Sequence, residues 1–411
     1  MNYRKTVNLF IVCFVFTSMV GTAQKSARIK KNAELLNTID KNLTDAVAQY
    51  KVMMKNISED QAMMNRTEPQ FPKTYHPTTN KFETSNSGWW CSGFYPGTLL
   101  YLYELKKDTT LYREAIRILK PLEKEQFNKN THDLGFMMFC SFGNATRLAA
   151  THQYNNILIN SAKSLSTRFN PKVGCIKSWD SKKSDEFLVI IDNMMNLELL
   201  FWATRITGDS SFYKIAVTHA NTTIKNHYRP DYSSWHVINY NSETGAVQQK
   251  RTAQGAADSS AWARGNAWGL YGWVVMYRET KDKKYLDMAT NVASFLLTHL
   301  NLPADKIPYW DYNAPDIPNA LRDASAAAII ASALLELSRY ADKQKSKEYI
   351  TTAETILKTL SSDQYKAAPS TNGGFILMHG VGHKPAGTEV DMPLTYGDYY
   401  FVEAMKRYKE L

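Results

Sequence analysis

Apolar residues recur along the chain at helical spacing, in segments of helix length joined two by two through short polar turns. Residues 95–105 lead through Lys106-Lys107-Asp108 into 112–122, and 136–150 lead through Thr151-His152-Gln153 into 156–169. Residues 194–206 pass through Thr207-Gly208-Asp209 into 212–226, and 268–279 pass through Thr280-Lys281-Asp282 into 285–297. A last pair joins 324–340 to 347–360. Almost nothing reads as strand. The similar lengths and turns predict a weak internal repeat of helix pairs.

Within each pair the first segment is the more apolar. Leu199-Leu200-Phe201-Trp202-Ala203 and Ala326-Ala327-Ala328-Ile329-Ile330-Ala331 have little polar face, which predicts burial all round. The second segments carry Lys, Glu and Asn on one side and belong in an outer layer. Lone helical stretches at 32–55 and 394–408 supply a sixth pair and close the set. The expected fold is all-α, an (α/α)6 barrel of six inner and six outer helices. An open superhelix of stacked pairs would carry a polar outer face at its end. The apolar Tyr399-Tyr400-Phe401-Val402 in the last helix favours closure.

Residues 1–23 read differently. Arg4 and Lys5 precede an apolar run over 7–20, and Gly21-Thr22-Ala23 follow as small residues suited to cleavage, the pattern of a signal peptide. The expected domains are therefore a signal peptide over 1–23 and one catalytic barrel over 24–411. The product is expected to be exported, with the periplasm as its destination and no membrane insertion after cleavage. Cys91, Cys140 and Cys175 remain, an odd number without framework spacing, which argues against a disulfide scaffold. No CxxC pair or HExxH is present, so neither a metal nor another cofactor is expected. Lys and Arg number 49 against 39 Asp and Glu. The basic residues are scattered without an arginine-rich stripe, which speaks against nucleic acid. As a whole-molecule field they favour an acidic substrate.

In a closed ring the connections entering the inner helices share one rim. These connections carry Trp89-Trp90-Cys91-Ser92, His132-Asp133, Asp192-Asn193, Arg264-Gly265-Asn266, Asp323 and Tyr396. Helix N-termini converging there favour anions, and Trp90, Trp179, Trp235 and Trp268 offer faces for a sugar ring. Blander roles stand beside these. Asp323 before Ala-Ser-Ala-Ala reads as an N-cap, Arg264 is able to cap carbonyls of a neighbouring loop, and Trp268 at helical spacing suits the core. The recurrence of Asp133 and Asp192 at equivalent places in two pairs is what points to acid/base chemistry.

These segments resemble the unsaturated glucuronyl hydrolases of glycoside hydrolase family 88. The resemblance runs from about Trp90 to Tyr400 and is carried by Gly88-Trp89-Trp90-Cys91-Ser92-Gly93, His132-Asp133-Leu134-Gly135-Phe136 and Asp192-Asn193-Met194-Met195-Asn196. It continues through 254–258, Ala261-Trp262-Ala263-Arg264-Gly265-Asn266-Ala267-Trp268-Gly269 and Glu389-Val390-Asp391-Met392-Pro393. It implies an (α/α)6 barrel, Asp192 as general acid/base and Asp133 as a second essential carboxylate. It further implies a substrate pocket lined by Trp90, His132, Trp179, His236, Thr252, Gln254, Arg264 and Trp268.

The substrates so implied are acidic oligosaccharides left by polysaccharide lyases, usually glycosaminoglycan fragments ending in a C4=C5 unsaturated uronate. Lys384, in the glycine-rich stretch His379-Gly380-Val381-Gly382-His383-Lys384-Pro385, is a candidate sulfate contact, although the hydroxyl residues of sulfate-accepting relatives are missing there. The implied chemistry is hydration of a vinyl ether, which needs Asp192 protonated near neutral pH. Ile190-Ile191 and Met194-Met195 raise its pKa, a nearby Asp133 raises it further, and Arg264 opposes both. The alternatives are an unsaturated rhamnogalacturonyl hydrolase acting on pectin fragments, an epimerase on the same barrel, and a glycan-binding protein without activity.

Overall fold

The computed structural model describes residues 31–149 and 151–411; the expected signal peptide over 1–23 lies outside them. Twelve α-helices occur among the described residues. In chain order they are α1 (Ala33–Met63), α2 (Phe94–Lys106), α3 (Thr109–Leu122), α4 (Asn144–Leu148), α5 (Asn155–Ser166) and α6 (Leu197–Thr207). Then come α7 (Ser210–His227), α8 (Ala263–Thr280), α9 (Lys283–Thr298), α10 (Ala324–Leu337), α11 (Lys343–Leu360) and α12 (Thr395–Lys409). A π-helical segment over Gly135–Gly143 runs straight into α4, and a 3-10 turn over Ile191–Asn196 runs straight into α6.

The even-numbered helices form a closed inner ring. Helix α2 packs on α12 and on the π-helical segment, which meets α6; α6 meets α8, α8 meets α10, and α10 returns to α12. Every residue of α10 is buried, as its apolar run requires. The odd-numbered helices bury one stripe only: α3 buries Leu111, Glu114, Ala115, Ile118, Leu119 and Leu122, the three-and-four spacing of an amphipathic outer helix. This mostly helical arrangement is that of an α/α barrel.

The turns joining inner to outer helices share one construction. Lys107, Gly208 and Lys281 end their helices in the left-handed region, with φ of 58°, 73° and 58°. The aspartate that follows each, Asp108, Asp209 or Asp282, then caps the outer helix through its side chain. Conformational reversal and cap thus occupy adjacent residues, which explains why the turns look alike in the sequence.

Strands correct the expectation that almost none exist. Nine short ones lie among the described residues, in the long connections at the rim. Hairpin β1 (Phe71–His76)–β2 (Lys81–Ser85) precedes α2, and the two-residue strands β3 (Phe169–Asn170) and β4 (Cys175–Ile176) follow α5. Strands β5 (Glu186–Ile190), β6 (Val237–Asn241) and β7 (Val247–Arg251) form one antiparallel sheet. Hairpin β8 (Gly380–His383)–β9 (Thr388–Met392) precedes α12. The run Phe187-Leu188-Val189-Ile190 carried a strand signal, being short, apolar and partly β-branched. The exposed Val247-Gln248-Gln249-Lys250-Arg251 carried none.

Candidate active site

Asp192 is placed by the β5–β6 ladder. Ile190 pairs with Val237, and the Ile191 N–H donates to the His236 carbonyl at 3.0 Å, so the chain turns into its 3-10 segment with Asp192 beside the His236 ring. The backbone N–H groups of Ala253 and Gln254 both donate to His236 Nδ1, at 3.1 and 3.2 Å. The ring proton is thereby assigned to Nε2, which lies 3.7 Å from Asp192 Oδ2. Burial, with the Arg264 charge, holds His236 well below the ordinary histidine range, so this contact is not an ion pair. Asp192 is 8 % exposed, and Oδ2 has no hydrogen-bond partner. Burial pushes its carboxyl up to about 7; Asp133 adds to the rise and Arg264 opposes it.

Asp133 comes from the connection ahead of the π-helical segment. Thr131 and Asp133 brace each other, the Asp133 N–H donating to Thr131 Oγ1 at 3.0 Å. The buried His132 places Nδ1 2.9 Å from the Ser178 carbonyl, which can only accept, so Nδ1 carries its proton. Its Nε2 lies 3.2 Å from Asp133 Oδ1. Burial lowers the His132 pKa, against the pull of Asp133.

Arg264, in the first turn of α8, is 1 % exposed and has two roles. Its terminal nitrogens hold the β8 backbone, donating to the carbonyls of Val381 and Gly382, and pair with Asp323 at 3.2 Å. This is the carbonyl-capping role weighed from sequence. The arginine also lines the cavity, and its Nε has no partner. Asp323 is the N-cap of α10, as expected, its Oδ1 accepting from the Ser325 N–H at 3.0 Å.

Trp90, His132, Asp133, Phe136, Trp179, Ile190, Asp192, Gln254 and Arg264 together line a cavity of about 100 Å³. Gln254 Nε2 also donates to the Gly382 carbonyl at 3.1 Å, a second latch on β8. His236 stands behind Asp192 and meets Trp179 edge to face. Four other expected contacts fall elsewhere. Trp268 is fully buried below the cavity, packed on Phe136 and Tyr400, because the first turns of α8 point into the ring's aromatic core. Thr252 braces the loop that carries Gln254, its Oγ1 accepting from the Gly255 N–H at 2.8 Å. Lys384 is exposed in the β8–β9 turn, and most of the glycine-rich stretch before it is a strand latched to the site. Trp235 lies against Arg229, 4.0 Å from ring centroid to guanidinium. Phe136 and Ile190 were missed as wall residues because nothing in their type marks them.

The profile of Glycosyl Hydrolase Family 88 matches residues 56–410. The chain belongs to that family. It is 48% identical to an unsaturated glucuronyl hydrolase of Formosa agariphila over 324 residues, 78% of this chain and 80% of that one. An unsaturated chondroitin disaccharide hydrolase of Streptococcus pneumoniae is 32% identical over 330 residues, 78% of this chain and 81% of the other. The crystal structure of an unsaturated glucuronyl hydrolase specific for heparin superposes with a TM-score of 0.84 at 46% identity, covering 91% of this chain and 97% of that one. The protein is a glycoside hydrolase of the unsaturated glucuronyl hydrolase kind.

Proposed function

We propose that this hydrolase removes the C4=C5 unsaturated uronate from the non-reducing end of glycosaminoglycan fragments, with Asp192 moving the proton. The observation that carries the reading is a carboxyl pushed up to about 7 by burial, in a cavity it shares with a second carboxylate, a guanidinium and two indoles. A carboxyl in that range supplies both an acid and its conjugate base near neutral pH. Protonated Asp192 donates to C4 of the vinyl ether, leaving an oxocarbenium ion between C5 and the ring oxygen. Water adds at C5 and returns its proton to Asp192. The hemiketal then opens to a ketone at C5, and the hemiacetal left at C1 expels the aglycone as an alcohol. The sum is hydrolysis with Asp192 regenerated.

Asp133 acts on this step through its charge, and Trp90 and Trp179 provide faces for the ring. Arg264 cannot grip the uronate as a free fork, because its terminal nitrogens are engaged; it attracts the carboxylate as a fixed positive charge. Relatives described as chondroitin disaccharide and heparin hydrolases support the glycosaminoglycan class over pectin fragments. Heparin-type disaccharides are the first to test, since the heparin-specific structure shares the higher identity.

Asp192→Asn is expected to abolish loss of the conjugated alkene's ultraviolet absorbance while leaving substrate binding within a few-fold of wild type. Retained turnover, or no absorbance loss with unsaturated heparin, chondroitin or hyaluronan disaccharides and the native chain, overturns the reading. Export through cleavage after residue 23 belongs to the same proposal. It is supported by the basic-then-apolar start, and N-terminal sequencing of the secreted protein tests it. No helix among the described residues is long and apolar enough to cross a membrane.

A further inference from the structure

Asn196 joins the two aspartate-bearing segments. It closes the 3-10 turn that begins with Ile191-Asp192, is fully buried, and accepts the Phe136 N–H through Oδ1 at 3.0 Å. Phe136 stands three residues after Asp133, at the start of the π-helical segment, where an N–H has no partner of its own within the helix. The segments touch backbone to backbone at this point. A Cβ on Gly135 would stand 2.5 Å from Asn196 Cα and 2.7 Å from its Oδ1, so only glycine permits the approach. The other end of the amide is unsatisfied: Nδ2 is buried without a partner. A core position under no other demand would shed that donor. An aspartate there would remove it but bring a third carboxylate towards Asp133 and Asp192.

We infer that Asn196 is a positioning residue, which sets the separation of Asp133 and Asp192 and thereby the pH range in which Asp192 holds its proton. This rests on the reading of Asp192 as the acid. The groups that face Asp192 are Arg264 from α8, His236 from just ahead of β6, and Asp133 with His132 from the segment that Asn196 clamps. Arg264 and His236 are held by bonds that do not involve Asn196, so the contribution its loss reaches first is that of Asp133, which raises the Asp192 pKa.

The experiment is the pH–rate profile of Asn196→Ala and Asn196→Asp on an unsaturated disaccharide. Asn196→Ala frees the clamp; kcat is expected to fall about tenfold or more with KM nearly unchanged, and the basic limb to move about half a pH unit or more towards acid. Asn196→Asp keeps an acceptor for the Phe136 N–H and adds negative charge, so it retains more turnover than the alanine variant and its basic limb moves the other way. Limbs that stay in place, or that move together, overturn the inference. If Asn196→Ala does not fold, an aspartate variant whose limb is unmoved or more acidic overturns it equally. Turnover in Asp192→Asn would instead remove the reading on which it rests, so the two failures are told apart.

Discussion

Arg264 lowers the Asp192 pKa while burial and Asp133 raise it, and this opposition gives the site a property absent from any one residue. A uronate arriving beside Arg264 offsets the positive charge and leaves the other two influences in command. Substrate binding is therefore expected to raise the Asp192 pKa. The basic limb of kcat, which reports the complex, should lie at higher pH than that of kcat/KM, which reports the free enzyme near 7. Coincident limbs would count against a uronate bound next to Arg264. The same carboxyl links stability to pH. Its folded pKa of about 7 exceeds the ordinary 3.8, so its contribution is full below the unfolded value and is lost as pH rises towards 7. Between about pH 5 and pH 8 wild type should lose on the order of 3 kcal/mol relative to Asp192→Asn, read from urea unfolding at each pH.

At the scale of elements, the β8–β9 hairpin shows what the amino-acid pattern hides. His379, Glu389 and Asp391 adopt positive φ of 60°, 51° and 57° without being glycine, and the glycines and Pro385 between them give the stretch the composition of a loop, so nothing local marks its strands. Its order comes from partners far away in sequence: Arg264, Gln254 and Asp323, which no local period reveals. The two aspartates were legible for the opposite reason, because repeated helix pairs put them at equivalent places. Trp268 lies in the core, as its helical spacing suits; its place near the rim and the family resemblance are what point it towards the pocket. Asp323 ties cap, arginine and hairpin together. Its Oδ1 serves the start of α10 and its Oδ2 balances the buried Arg264. Asp323→Ala should cost about 3–5 kcal/mol, since a buried charge is left uncompensated. Asp323→Asn, which keeps the cap, should cost less; denaturant midpoints for the pair check the order. Equal losses would mean that the charge on Asp323 matters little.

Across the whole molecule, the amino-acid sequence carries a net charge of +10, with its basic residues scattered along the chain. Such a field acts on encounter more than on chemistry. Raising salt from about 0.05 to about 0.5 M should lower kcat/KM several-fold for an anionic disaccharide and leave kcat nearly constant. A salt-insensitive kcat/KM would assign capture to the cavity's own groups alone. The ring also has a floor. Phe94, Phe136, Trp268, Tyr396 and Tyr400 pack ring against ring beneath the cavity. Beyond them a larger space of about 360 Å³ is walled in part by Tyr101, Tyr271 and Glu403. The Glu403 carboxylate there is taken up by Tyr101, Tyr271 and Ser332. With that floor in place nothing can thread the ring. A glycan meets a blind socket, presents only its last sugar, and must withdraw by the way it came. Attack is confined to chain ends, one residue at each visit, and the freed sugar has to clear the entrance before the next end can enter.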